Sequence, residues 1–362
     1  MKSILAVLNH MDLLFYFLVS LFAILLSCIV FSNAVEWLGA RLNLSHGITG
    51  SILAAVGTAL PETIVPLVAI FWGTSKENLV KVLTGKAETL NSVNQISMGA
   101  IIGAPFMLST VAFFLIGLSS WLYFKSKRRK SDVINMDKTV LERDLKFFII
   151  SFSLGFLAIF LNHFFHVILA IVMLLLYLIY LYQTIKEEKG SEYKGEELEE
   201  GLDPFLLTKF FPILKPTVFL ISLQLAFSLI CLVISAHHFV EVIKDVSYKL
   251  AFPVFVISLL LTPLATELPE KFNSWMWIRQ KKDTLAVGNI SGALVFQSTF
   301  PVTIGLLFTS WHVTSTLSYL TFIFCLVNAI IILWSLKKNK LNYKTFLLCG
   351  VFYVVYLALV FA

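Results

Sequence analysis

The chain has 362 residues, 58% of them apolar and 14% charged, with a mean hydropathy of +0.86 and a formal net charge of +6. A soluble domain is about 45–50% apolar and about 25% charged, and it needs a polar skin. The balance therefore excludes an ordinary soluble enzyme and a disordered chain, and it favours an all-α polytopic membrane protein, for which lipid accepts an apolar exterior. The basic excess reads as loops facing an anionic leaflet, not as a nucleic-acid surface.

A helix needs about 20 mostly apolar residues to cross a bilayer, and about ten segments qualify. They are residues 12–33, 47–72, 92–122, 147–162, 164–184, 216–241, 250–277, 284–309, 313–335 and 344–361. The apolar run from Leu13 to Val30 exceeds the roughly 7–15 residues of a signal peptide's core, so it is expected to be the first transmembrane helix. The fourth and fifth segments are separated only by Asn162-His163. Cys28, Cys231, Cys325 and Cys349 lie in apolar runs without CxxC spacing and read as packed thiols.

The loops after the odd-numbered spans carry 21 Lys and Arg, and the opposite side carries 6. The positive-inside rule then places the odd-numbered loops in the cytoplasm and both termini outside. The Lys125–Lys130 run reads as a topology anchor. Residues 186–215, rich in Glu and Lys, read as a solvated cytoplasmic connector between a first five-helix repeat (1–185) and a second (216–362).

The two halves share a peptide in their second span: Gly57-Thr-Ala-Leu-Pro-Glu62 and Ala265-Thr-Glu-Leu-Pro-Glu270, identical at four of six positions. Each is followed by a glycine-spaced stretch, Gly99-Ala-Ile-Ile-Gly103 and Gly288-Asn-Ile-Ser-Gly292. Because each half has an odd number of spans, the second copy enters the membrane from the opposite side. The expected architecture is two inverted-topology repeats of five helices, a layout typical of secondary transporters with midplane sites on broken helices. The first half has about 19 extra residues, expected in an outward loop spanning Thr74 to Asn91.

A carboxylate at membrane depth costs about 2.5–3.5 kcal/mol on insertion scales. Glu62 and Glu270 therefore need compensation by a bound cation or by protonation. Pro61 and Pro269 lack an N–H, which frees the carbonyls of Gly57 and Ala265. Thr58 and Thr266 lie four residues before the glutamates, a spacing that puts hydroxyl and carboxylate on one helical face. An all-oxygen shell of this kind suits Ca2+ or Na+. Lys271 follows Glu267 by four residues and is expected to neutralise it at least partly, leaving about two negative charges on the site. One divalent cation, two Na+ or two H+ would balance them. The alternative is that Glu267 is itself a ligand. Asn289 is either an amide-oxygen ligand or a packing amide, and Gln297 and Ser298 are weaker pathway candidates. Asp283, among Arg279, Lys281 and Lys282, reads as a surface residue.

These motifs resemble the sodium/calcium exchanger superfamily of cation/Ca2+ antiporters, with the two Leu-Pro-Glu peptides as its repeat signatures and Gly288-Asn-Ile-Ser-Gly292 as a further one. The resemblance implies that Glu62 and Glu270 are central cation ligands and that Thr58 and Thr266 contribute oxygen. It also implies alternating access, the first and sixth spans moving against spans 2, 3, 7 and 8. The first-half stretch Gly99-Ala-Ile-Ile-Gly-Ala-Pro105 departs from the family's Gly-Asn-x-x-Gly-Ser-Asn and lacks its Asn and Ser oxygens. The expected function is a prokaryotic inner-membrane antiporter exchanging Ca2+ for Na+ or H+, with a cation channel or a degenerate, non-transporting relative as alternatives. HExxH and GxSxG are absent, and neither a cofactor nor an obligatory protein partner is expected.

Overall fold

The computed structural model describes residues 2–41, 55–73, 92–127, 133–188, 204–210, 215–250, 252–313 and 315–361. The expected outward loop 74–91, the start of the second predicted span and most of the connector lie outside the described residues. The described regular structure is helical. Its elements are α1 (Lys2–Arg41), α2 (Ala55–Gly73), α3 (Ser92–Met107), α4 (Phe113–Lys125), α5 (Lys138–Ala158), α6 (His163–Glu188) and α7 (Leu206–Phe210). They continue as α8 (Val218–Leu250), α9 (Val254–Thr266), α10 (Leu268–Arg279), α11 (Asp283–Phe308), α12 (Thr316–Lys337) and α13 (Tyr343–Val360).

Over its described residues each predicted span is mainly helical, but the register differs in three places. The fourth begins at Lys138, nine residues before the predicted start, because Asp137 caps it by accepting a 2.8 Å bond from the Thr139 N–H. Its first turns are charged, which hid them from a hydropathy reading. The seventh is two helices, α9 and α10, meeting at Glu267. The third runs from α3 into α4 through one π-helical turn, Leu108–Ala112. There the Thr110 and Ser109 hydroxyls donate to the Phe106 carbonyl at 2.5 and 3.2 Å, three residues after Pro105 enters the ladder without an N–H. The break predicted at Asn162-His163 is present: α5 ends at Ala158, and the Asn162 side chain accepts from the Phe165 N–H at the start of α6.

Among the described residues, seven helical stretches are long and apolar enough to cross a membrane: those of α1, α3–α4, α6, α8, α11, α12 and α13. Their burial separates inner from outer positions. The most apolar window of α11 is 89% buried and that of α3–α4 is 78%, against 22% for α1, α8 and α13. Large side chains such as Phe15, Phe22, Phe164, Phe219 and Phe227 project from the outer helices. In water such a surface would drive association; in a bilayer it is matched to lipid.

Two main cores hold the bundle, beside a small cluster of Ala34, Phe205 and Ile221. The larger one joins α3–α6, α9 and α11–α13 around Phe106, Phe148, Phe152, Phe322 and Leu294. Phe152 stacks on Phe148 and Phe322 with centroids 5.2 and 4.7 Å away. The smaller core joins α1, α2, α8 and α9 around Ile24, Val65, Phe239 and Ala265. In the smaller core α1 packs chiefly on α8. Helix α9 lies against α3 at very short range: a Cβ built on Gly99 would sit 2.5 Å from the Phe255 carbonyl oxygen, and one on Gly103 would sit 2.3 Å from that of Leu259. The glycine spacing read from the sequence is thus a groove for a neighbouring backbone, the small-residue packing that lipid-embedded helices use.

A buried polar network ties α5, α6 and α11 together. The Arg143 guanidinium bonds the Asp144 and Glu187 carboxylates at 3.0 and 2.6 Å, and the Ser291 hydroxyl donates to Asp144 at 2.6 Å. The predicted surface residue Asp283 is instead buried, 2% exposed, and accepts a 2.8 Å bond from the Asn135 N–H. The charge-rich sequence around it gave no sign that the 133–137 segment folds back over the start of α11.

A candidate cation site between the two halves

Proline chemistry builds the second-half arm of the site. Pro269 has no N–H to offer the Ala265 carbonyl, so α9 closes with the Glu267 N–H on the Pro263 carbonyl at 3.0 Å. Glu267, at φ −98° and ψ 2°, is the cap of both helices. Its own carbonyl accepts from the Lys271 N–H at 3.2 Å, starting α10. The carbonyl-rich C-terminus of α9 and the first turn of α10 therefore meet at one point. Glu270 stands in that first turn, where a helix N-terminus favours negative charge. Thr266 and Glu270 consequently lie on two helices, so the single-face argument from their spacing does not hold in this half. The Thr266 hydroxyl is buried and donates to the Thr262 carbonyl at 3.1 Å.

The Glu267–Lys271 spacing does produce a pair. Lys271 Nζ lies 2.6 Å from Glu267 Oε2, with both residues buried, and Glu267 Oε1 has no hydrogen-bond partner. Ala265, whose carbonyl Pro269 leaves free, is also fully buried.

The first-half arm differs. Helix α2 is continuous from Ala55 through Pro61 to Gly73. The side chains of residues 55–61, including Thr58, are outside those described, as is any side-chain contact at Gly57. Glu62 is described: it is 3% exposed, and neither carboxylate oxygen has a hydrogen-bond partner. Its carboxylate interacts electrostatically with Glu270, Glu267 and Lys271 across the bundle, and with the Gln297 amide of α11. Cys28 of α1 also lies within electrostatic range of Glu62 and Glu270. Four sequence-distant elements thus converge on the two repeated glutamates.

Gln297 stands out more clearly in three dimensions than in sequence. It is 1% exposed, neither amide atom has a hydrogen-bond partner, and it faces both Glu62 and Glu267. Pro301, four residues later inside α11, also frees its backbone carbonyl. The Ser298 hydroxyl is 2.6 Å from that of Ser151 and joins α11 to α5. Asn289 is buried, and its amide nitrogen donates to the Ser274 hydroxyl at 3.2 Å, joining α11 to α10. Among the described residues, no cluster of three His, Cys, Asp or Glu side chains is gathered tightly enough to hold a metal ion. The two carboxylates, the Gln297 amide and the carbonyls that proline leaves free come from separate helices and stand in an open arrangement. A cavity of about 490 Å3 between α1, α7 and α10 reaches Leu268 and Phe272, the residues flanking this first turn.

A multi-pass helical bundle with acidic groups buried at a helix break has the features of a membrane protein that handles ions or small solutes. Residues 13–186 and 220–362 match the sodium/calcium exchanger protein family, and the chain belongs to that family of ion antiporters. Its fold is similar to the crystal structure of the H+/Ca2+ exchanger CAX, with a TM-score of 0.71 at 17% identity over 96% of this chain and 82% of that one. It is also similar to the sodium-calcium exchanger NCX_Mj soaked with 10 mM Na+ and zero Ca2+, with a TM-score of 0.58 at 19% identity over 96% and 98% of the two chains. NCX_Mj soaked with 10 mM Na+ and 10 mM Sr2+ gives 0.58 at 20% identity over 96% and 97%. No curated protein sequence matches the chain.

Proposed function

We propose that this chain is a secondary antiporter that exchanges Ca2+ for Na+ or H+ across a prokaryotic inner membrane, with Glu62 and Glu270 binding the competing ions. The observation that carries this reading is Glu62: a fully buried carboxylate without a hydrogen-bond partner, facing the matching glutamate of the other half. Such a group is costly unless an ion or proton joins it. Ca2+ and two monovalent ions can each supply the missing charge, so they compete for one place, and the empty site is disfavoured from crossing. Freed carbonyls at Ala265 and Gly57, the Thr58 and Thr266 hydroxyls, and the Gln297 and Asn289 amides are the oxygen donors available around the pair. Glu267 is held by Lys271 and contributes at most its second oxygen.

Ten spans in two inverted repeats, with both termini outside, fit the packing as well as the charge bias. Helix α11 packs on α6 as α13 packs on α4, so the third helix of each half lies against the last helix of the other. The α1–α8 pair, the first helix of each half, belongs to a smaller core of its own with α2 and α9. That separation supports an alternating-access motion in which α1 and α8 move against the larger core. The test is ⁴⁵Ca2+ flux in proteoliposomes under imposed Na+ or pH gradients. The expected result is gradient-driven flux by the wild type and its loss in Glu62→Gln and Glu270→Gln. Normal transport by both variants would overturn the site, and gradient-independent flux would point to a channel.

A further inference from the structure

The cavity of about 490 Å3 between α1, α7 and α10 is lined by neither repeated glutamate. Its volume lies in the range of small-molecule sites, roughly 300–1,000 Å3. Its roof, the segment 204–210, is fixed in place. The Asn33 side chain of α1 accepts from the Leu206 N–H at 3.0 Å and donates to the Pro204 carbonyl at 3.3 Å. The Gln224 amide of α8 donates to the Asn33 oxygen at 3.2 Å, and Phe205 lies against Trp37 with ring centroids 5.9 Å apart. The space is thus framed by bonded and packed elements and is not a gap under a loose loop.

The lining is graded from apolar to polar. Along α1 it passes from Leu25 and Ile29 to Ser32 and Asn33, and along α10 from Leu268 and Phe272 to Asn273. Both helices run on to an arginine in their last turn, Arg41 and Arg279, and the exposed Lys209 of the roof lines the cavity too. The apolar wall is open to lipid: Ile29 is 42% exposed and Phe272 64%. At the polar end the Ser32 hydroxyl is only 5% exposed and has no hydrogen-bond partner. A buried hydroxyl left unpaired is costly. Water alone would suit that hydroxyl but not the apolar wall beside it. An occupant that suits both ends brings a polar acceptor to Ser32 and hydrocarbon to Leu25 and Ile29.

We propose that this cavity is a binding site for one anionic phospholipid, with an acyl chain between α1 and α10 and the headgroup at Ser32 and Lys209. The phosphate accepts from the Ser32 hydroxyl and pairs with the Lys209 ammonium, a charge-assisted contact. The lysine stem lies along apolar surface while its charge stays at the interface. Basic pockets between transmembrane helices on the cytoplasmic side are where anionic headgroups are held. The charge bias of the loops puts Arg41, Lys209 and Arg279 on that side, facing the leaflet that carries such lipids. The proposal concerns a place apart from the ion site and does not rest on which ions are exchanged.

The experiment counts lipids bound to the purified, delipidated full chain by native mass spectrometry. Three probes are titrated: dioleoyl phosphatidylglycerol, which is anionic; dioleoyl phosphatidylcholine, with the same chains and no net charge; and glycerol phosphate, the headgroup chemistry alone. The expected result is one phosphatidylglycerol held more tightly than phosphatidylcholine, with no glycerol phosphate retained at the same concentration. Lys209→Gln should lower phosphatidylglycerol affinity about fivefold, the effect of one basic residue beside an anionic surface, and leave phosphatidylcholine unchanged. Lys186→Gln, at an exposed lysine of α6, should change neither. Ser32→Leu fills the cavity with hydrocarbon and should remove the tightly held lipid. If that variant does not fold, Ile29→Trp at the lipid-exposed wall takes its place, with the same loss expected. Equal binding of the two lipids overturns the inference, as does a Lys209→Gln protein that behaves like Lys186→Gln. A folded cavity-filling variant that keeps the tight lipid overturns it too. Glycerol phosphate bound as tightly as phosphatidylglycerol makes the place a phosphate site and also overturns it. None of these outcomes bears on the antiport reading, which the flux assay decides separately.

Discussion

The two Leu-Pro-Glu peptides share four of six residues, yet the chain around them behaves differently. In the first half, α2 runs unbroken through Pro61, and Glu62 projects its carboxylate without a hydrogen-bond partner. In the second, the helix stops at Glu267, restarts, and surrounds Glu270 with an additional acid and a lysine. The stretches that follow diverge as well. Gly99 and Gly103 press α3 directly onto the α9 backbone, whereas Asn289 and Ser291 join α11 to α10 and α5 by hydrogen bonds. The carboxylate is what both halves retain. One half presents it from a continuous helix, and the other presents it from a helix break beside the Glu267–Lys271 pair.

Four substitutions and one control sharpen this contrast, the four taken from the largest expected effect to the smallest. Glu62→Gln removes the unpaired arm and is expected to lower Ca2+ exchange at least 100-fold, the scale on which a mispaired buried charge is felt, with expression and folding retained. Flux assays on reconstituted protein measure it. Asp144→Asn weakens the anchor between α5 and α11 and leaves Arg143 with less negative charge. It is expected to cost about 2–4 kcal/mol, visible as a lowered unfolding midpoint in detergent. Gly103→Ala would place a Cβ 2.3 Å from the Leu259 carbonyl oxygen, so α3 and α9 must separate, at a cost of about 1–3 kcal/mol. Gly288→Ala is its control: the nearest atom to a new Cβ is Val140 Cγ1 at 3.9 Å, and the unfolding midpoint should hardly change. Asn289→Ala loses one hydrogen bond to Ser274, about 0.5–1.5 kcal/mol. Should it abolish Ca2+ binding while stability is unchanged, Asn289 is a ligand and not only a packing amide.

Much of this was legible in the sequence because hydropathy and proline act locally. An apolar run long enough to span lipid forms helix wherever it lies, and Pro269 removes the N–H that the Ala265 carbonyl would use, although Pro61 in the same peptide leaves α2 continuous. The Glu267–Lys271 pair was equally local, four residues apart. What stayed hidden depends on distant chain. Gln297 gains meaning only because α11 passes behind both Glu62 and Glu267. Arg143 and Asp144 read as cytoplasmic loop until α6 and α11 close over them. Asp283 read as solvated because its sequence neighbours are basic, while its partner is a backbone N–H from residue 135. In each case the residue type was visible, but its surroundings were set by tertiary packing.

The claim on which the rest depends is that one ion is shared by Glu62 and Glu270. Equilibrium Ca2+ binding to the purified protein, compared across Glu62→Gln, Glu270→Gln and the double substitution, tests it directly. A shared ion predicts that either single change removes nearly as much affinity as both together. Losses that simply add, or a single variant that binds Ca2+ like the wild type, would contradict it.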